Sequence, residues 1–127
     1  MKRIICTSNA PAAAGPYSQA VEAGGILFVS GQVALDPATG KLIEGDIREQ
    51  TEQVLRNIGA ILEAAGYTYR DVVKSTVFLS NIQDFKTMNE VYSKFYPSEQ
   101  PARVALAVKD LPLGALVEIE AIAIKSK

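Results

Sequence analysis

The chain has 127 residues, enough for one domain with a buried core and too few for two. Its 13 basic and 14 acidic residues leave a net charge of −1, and the Lys and Arg are scattered, which argues against nucleic acid or an anionic membrane surface as a partner. With no histidine and one cysteine, the sequence excludes Ser-His-Asp and Cys-His catalysis, imidazole metal sites, and thiolate zinc or iron–sulfur sites.

At the start, "MKRIICTSNA" holds only a short apolar run, unlike a signal peptide, and no stretch is apolar for long enough to span a bilayer. A cytoplasmic protein is therefore expected. Cys6 cannot form an internal disulfide, and its surroundings predict a buried strand position. The Pro/Gly/Ala-rich "NAPAAAGPYSQA" (9–20) reads as an ordered loop leading into a strand. "GGILFVSGQVAL" (24–35) then reads as β-structure, with Gly31 marking a bulge or a close backbone approach. "DPATGK" (36–41) carries the signals of a hairpin turn.

From Asp46 the period changes. Ile47, Thr51, Val54, Leu55, Ile58, Ile61, Leu62 and Ala65 recur at helical spacing, Asp46 with Glu49 suits a capping box, and Gly66 suits the C-terminal cap. A strand follows over 71–80. A second helix is expected from about Ile82 to Tyr96, capped by Asn81 and closed by Pro97, with Phe85, Met88, Val91, Tyr92 and Phe95 on one face. Strands over 102–108 and 116–125 complete an α+β domain over residues 1–127, a mixed β-sheet packed on one face by two α-helices.

The last strand exposes a difficulty. Leu116, Glu118, Glu120, Ile122 and Ile124 alternate with Val117, Ile119, Ala121 and Ala123, so both of its faces carry apolar residues. Two helices on one side cover only one face, and self-association into a homo-oligomer is the expected remedy.

Two charged residues interrupt these apolar strands. Arg103 lies in "PARVAL" with no acidic residue within three positions, and Glu118 shares a strand face with Glu120. Either Arg103 and Glu118 form a structural ion pair, or Arg103 awaits an anionic ligand whose carboxylate its planar fork would grip bidentately. Tyr17, Ser30 and Asn89 are further polar candidates beside apolar stretches.

"APAAAGPYSQA", "SGQVALDPATGKL", "VVKSTVFLSNIQDFKTMNEVYSKFY", "PARVALAVKDLP" and "VEIEAIAI" together resemble the RidA/YjgF family of enamine/imine deaminases, nearly end to end. The resemblance implies a chorismate-mutase-like fold and a homotrimeric, barrel-like assembly with sites in the clefts between subunits. It implies hydrolysis of short 2-enamino and 2-imino acids, such as 2-iminopropanoate and 2-iminobutanoate, to 2-oxo acids and ammonia, with no cofactor and no metal. On this sequence it assigns Arg103 to the substrate carboxylate and Glu118 to the activation of water. Tyr17, Ser30, Gly31 and Asn89 fall on pocket-lining positions. Ala105 stands where some members have Cys, and keeps the backbone carbonyl expected to meet the substrate nitrogen. A small 2-oxo-acid-binding regulator without significant turnover is the alternative; it would need Arg103 but not Glu118. A ribonuclease reading is disfavoured by the charge balance and the missing histidine.

Overall fold

The structure, a computed structural model, describes residues 1–125. Its strands are β1 (Arg3–Ile5), β2 (Ala20–Ala23), β3 (Ile26–Gln32), β4 (Val72–Leu79), β5 (Ala102–Ala107) and β6 (Val117–Ile124), and its helices are α1 (Ile47–Ala65) and α2 (Phe85–Phe95). The strands form one sheet in the order β1-β2-β3-β6-β4-β5. Only β4 and β5 run parallel, which requires a crossover, and α2 supplies it.

The helical stripe behaves as the sequence predicts. Ile47, Thr51, Val54, Leu55, Ile58, Ile61, Leu62 and Ala65 are all buried, and the capping box between Asp46 and Glu49 is formed. At the other end Gly66 adopts φ 84°, a left-handed conformation that costs glycine little. Its N–H donates to the Glu63 carbonyl, and that of Tyr67 to Leu62, closing a Schellman motif. The carbonyls of Ala65 and Gly66 also accept from Arg3 (2.9 Å) and Lys125 (2.7 Å).

Several expectations need adjusting. The run 24–35 is not one strand: Gly24 and Gly25 form the turn between β2 and β3, and the chain leaves the sheet after Gln32. There the carbonyls of Val33 and Leu35 accept from the Asn57 amide of α1 instead of from a neighbouring strand. The second helix starts later than expected, because Ile82–Asp84 form a 3₁₀ turn, capped by the Asn81 side chain on the Gln83 N–H. Cys6 is exposed, just past the short β1, so the buried-strand expectation fails. The loop over 9–20 is ordered as expected. Gln19, almost fully buried, holds it by accepting from the Thr7 N–H (2.7 Å) and donating to the Pro11 carbonyl (2.8 Å).

Both helices pack on one sheet face. Val117, Ile119, Ala121 and Ala123 of β6 are buried there with Leu27, Val29, Val77 and Leu79. On the opposite face, cross-strand register lines up Ile4, Val21, Phe28 and Ile122, with Val104 and Leu106 farther along on β5. Ile4, Phe28, Val104, Leu106 and Ile124 are exposed, so the uncovered apolar face expected from the alternation is present.

Candidate functional site

Register places Arg103 first. It pairs with Ser75 across the parallel β4–β5 ladder, and Ser75 is buried on the helix-covered face. The Arg103 side chain therefore extends towards α2 at the edge of the sheet. Its Nη1 donates to Asn89 Oδ1 at 2.7 Å, and its guanidinium carbon lies 4.8 Å from the centroid of the Tyr92 ring and 5.6 Å from that of Phe85. A cavity of about 450 Å³ opens beside it, lined by Asn89, Tyr92, Tyr96, Gln100 and Arg103 among others. None of the ion pairs among the described residues involves Arg103. A cation held this way keeps donors free for an anion.

Glu118 lies elsewhere. It pairs with Phe78 of β4, three positions along from Ser75, and an odd spacing on a strand means the opposite face. Arg103 and Glu118 thus sit on opposite sides of the sheet with β4 between them. The structural ion pair that composition alone allowed does not exist within the chain.

The carboxylate of Glu118 packs onto Gly31, whose missing side chain makes room for it: a Cβ there would overlap Oε2. The shift of register between Val29 and Gln32 in the β3–β6 pairing brings the Gly31 backbone to this position, which is the close approach that the glycine suggested. Glu118 is half-buried whereas Glu120, on the same face, is exposed. Burial, followed by repulsion from Glu120, pushes the Glu118 carboxyl above the usual glutamate range.

Of the remaining candidates, all but Tyr17 fall in one of these two places. Asn89 belongs with Arg103. Ala105 is on β5, two residues along the same face, and packs against the core. As an edge strand, β5 leaves one row of backbone groups without sheet partners. Ser30 belongs with Gly31 and Glu118, and its hydroxyl donates to the Ser18 carbonyl at 2.6 Å, beside Tyr17. Tyr17 is exposed and lines a separate cavity of about 560 Å³ together with Ile4, Cys6 and Ser18. Sequence reasoning missed Tyr92 as a site residue, because its helical spacing marks it as core; only the ring's position under Arg103 reveals more.

The sequence profile of the endoribonuclease L-PSP family matches residues 7–125. The chain belongs to that family. It is 56% identical over 125 residues to a RutC family protein of Pyrococcus horikoshii, covering 98% of this chain and 99% of the relative. It is 47% identical over 125 residues to the 2-iminobutanoate/2-iminopropanoate deaminase of Homo sapiens, covering 98% of this chain and 91% of the relative. The crystal structure of E. coli TdcF with bound serine matches the L-PSP fold seen here with a TM-score of 0.93 and 42% identity, covering 98% of this chain and 99% of that one. The motif resemblance to RidA and YjgF proteins leads to the same family. Among the described residues, no helix is long and apolar enough to cross a membrane.

Proposed function

We infer that this chain is a 2-iminobutanoate/2-iminopropanoate deaminase, hydrolysing short 2-imino acids to 2-oxo acids and ammonia at sites shared between subunits of a homotrimer. The observation that carries the reading is Arg103: a guanidinium pre-oriented by Asn89 and Tyr92, facing an open cavity and paired with no carboxylate among the described residues. A substrate carboxylate supplies the counter-ion. The human relative named for this activity and the serine-bound neighbour support a small amino-acid-like ligand.

The two halves cannot serve one substrate within one chain, since they lie on opposite sheet faces. Copies packed through the uncovered apolar face bring the Arg103, Asn89 and Ala105 half of one subunit against the Tyr17, Ser30, Gly31 and Glu118 half of the next. In that cleft Arg103 holds the carboxylate and Glu118 takes a proton from water as it attacks the imine carbon. The C=N bond becomes a C–N bond in a tetrahedral carbinolamine. Glu118 returns that proton to nitrogen, then takes the hydroxyl proton of the carbinolamine and passes it on to nitrogen as the C–N bond breaks, leaving C=O and ammonia. Water supplies the oxygen, and no electrons change hands. An imine is already electrophilic, so orientation and positioned proton transfer suffice, the latter contributing about 10²- to 10⁴-fold. A carboxyl whose pKa is raised suits that work better than an ordinary surface glutamate. The RNA cleavage named in the family's description finds little support here: the net charge is −1 and there is no histidine.

The test generates 2-iminobutanoate in situ with an amino-acid-oxidising or dehydratase enzyme and follows its decay with and without this protein. Acceleration is expected. An unchanged rate, with 2-oxobutanoate still bound in an Arg103-dependent way, would replace the enzyme by a 2-oxo-acid-binding regulator.

A further inference from the structure

An arginine side chain on an exposed strand edge has many rotamers, and ordering it on ligand binding weakens the affinity. Here the ordering is already done. Nη1 is committed to Asn89 Oδ1 at 2.7 Å, which fixes the amide with its oxygen inward, because a guanidinium can only donate. One side of the guanidinium is covered by Tyr92, with its carbon 4.8 Å from the ring centroid.

Tyr92 is itself held. Its ring lies 4.7 Å from that of Tyr96, which meets the ring of Tyr69 edge-on at 5.7 Å. The Tyr69 hydroxyl donates to the Leu55 carbonyl of α1 at 2.7 Å. Gly59 leaves room for that hydroxyl, since a Cβ there would overlap it. The Tyr92 hydroxyl, by contrast, is buried beside the Ser75 hydroxyl and makes no hydrogen bond to Arg103. Its ring is the part with a job beside Arg103.

We propose that Tyr92 and Asn89 are positioning residues that fix the Arg103 guanidinium in one orientation before substrate arrives, so that Asn89 acts through Arg103 and not on the substrate. This deepens the reading of Arg103 as the carboxylate-binding group and rests on it. Since the carboxylate is held alike in substrate and transition state, loosening Arg103 raises KM and leaves kcat nearly intact. A merely structural role does the reverse: a smaller folded fraction lowers the apparent kcat at unchanged KM.

The experiment measures imine hydrolysis for Tyr92→Phe, Tyr92→Leu, Asn89→Ala and Asn89→Asp, with Arg103→Ala alongside. Tyr92→Phe keeps the ring and is expected within about twofold of wild type, while Tyr92→Leu raises KM roughly tenfold with kcat within about threefold. Asn89→Asp neutralises the guanidinium outright, and so raises KM well beyond the effect of Asn89→Ala, which only loosens it. A Tyr92→Leu enzyme with wild-type KM, or a Tyr92→Phe enzyme as impaired as Tyr92→Leu, would overturn the proposal. Should Tyr92→Leu fail to fold, Asn89→Asp decides, and wild-type affinity of that variant for 2-oxobutanoate refutes it. If Arg103→Ala also keeps the wild-type KM, the carboxylate reading itself is at fault and the positioning role falls with it.

Discussion

The two halves of the candidate site are built on opposite principles. Around Arg103 everything is added: an amide oxygen, two aromatic rings, and a chain of tyrosines anchoring the nearer ring to α1. Around Glu118 the decisive feature is a missing side chain, at Gly31, and the charge that acts on its carboxyl is the repelling Glu120. One half is stiff and leaves its charge free for a ligand. The other is under-neutralised and keeps its proton affinity high. A group that only has to hold benefits from rigidity, whereas one that must take up a proton and release it benefits from an uncomfortable charge.

Substitutions that break this division should show it in the kinetics. Glu118→Gln keeps the shape and removes the proposed base, and kcat should fall by about 10²- to 10⁴-fold with KM little changed. In the wild-type enzyme kcat should drop as pH falls through a pKa above the ordinary glutamate range, since Glu118 works only when ionised; the residual rate of Glu118→Gln should lack that limb. Arg103→Ala removes the proposed grip on the carboxylate, and kcat/KM should fall by about 10²-fold or more.

Mixing sharpens the comparison. If sites are shared between subunits as proposed, then unfolding Arg103→Ala and Glu118→Ala chains and reassembling them together in equal amounts restores both intact halves in roughly a quarter of the sites. Recovery of activity towards that fraction is expected. No recovery in verified mixed trimers would mean that one chain supplies both groups.

Gly31→Ala forces the Glu118 carboxylate out of its place, and should lower kcat by about 10- to 10²-fold while leaving affinity for 2-oxobutanoate nearly unchanged. The smallest effect is on stability. With its pKa raised, Glu118 binds its proton more tightly in the folded chain than in the unfolded one, so stability falls as pH rises from the ordinary glutamate range through the raised value. Glu118→Gln should accordingly melt at a higher temperature than wild type at neutral pH, the difference vanishing below the ordinary glutamate range. Thermal denaturation at several pH values checks this.

Much of the architecture was legible because it rests on local periodicity. The stripe of α1 and the alternation in β6 are each written within some twenty residues, and the uncovered sheet face follows from counting faces against helices. The relation between Arg103 and Glu118 was not legible. It depends on which residues of β4 each one meets, and β4–β5 register is set by a crossover that no local pattern encodes. Composition could therefore offer an ion pair that topology forbids. Tyr92 escaped notice for a related reason: a core tyrosine and a tyrosine under a functional arginine have the same helical spacing. Cys6 shows the limit at the other end, where a β-strand of three residues is too short for alternation to tell inside from outside.

The last turn of α1 contains no basic residue, and the cations on its final carbonyls come from Arg3 and Lys125, 62 and 59 residues away. The longest helix is thus completed electrostatically only after the first and last strands have docked. During folding its C-terminal turn should gain protection from amide exchange late, together with the pairing of β1 and β6 into the sheet and not with the rest of the helix. A segment whose own sequence caps it at Asp46 and at Gly66 thus receives its C-terminal counter-charges only from the assembled chain.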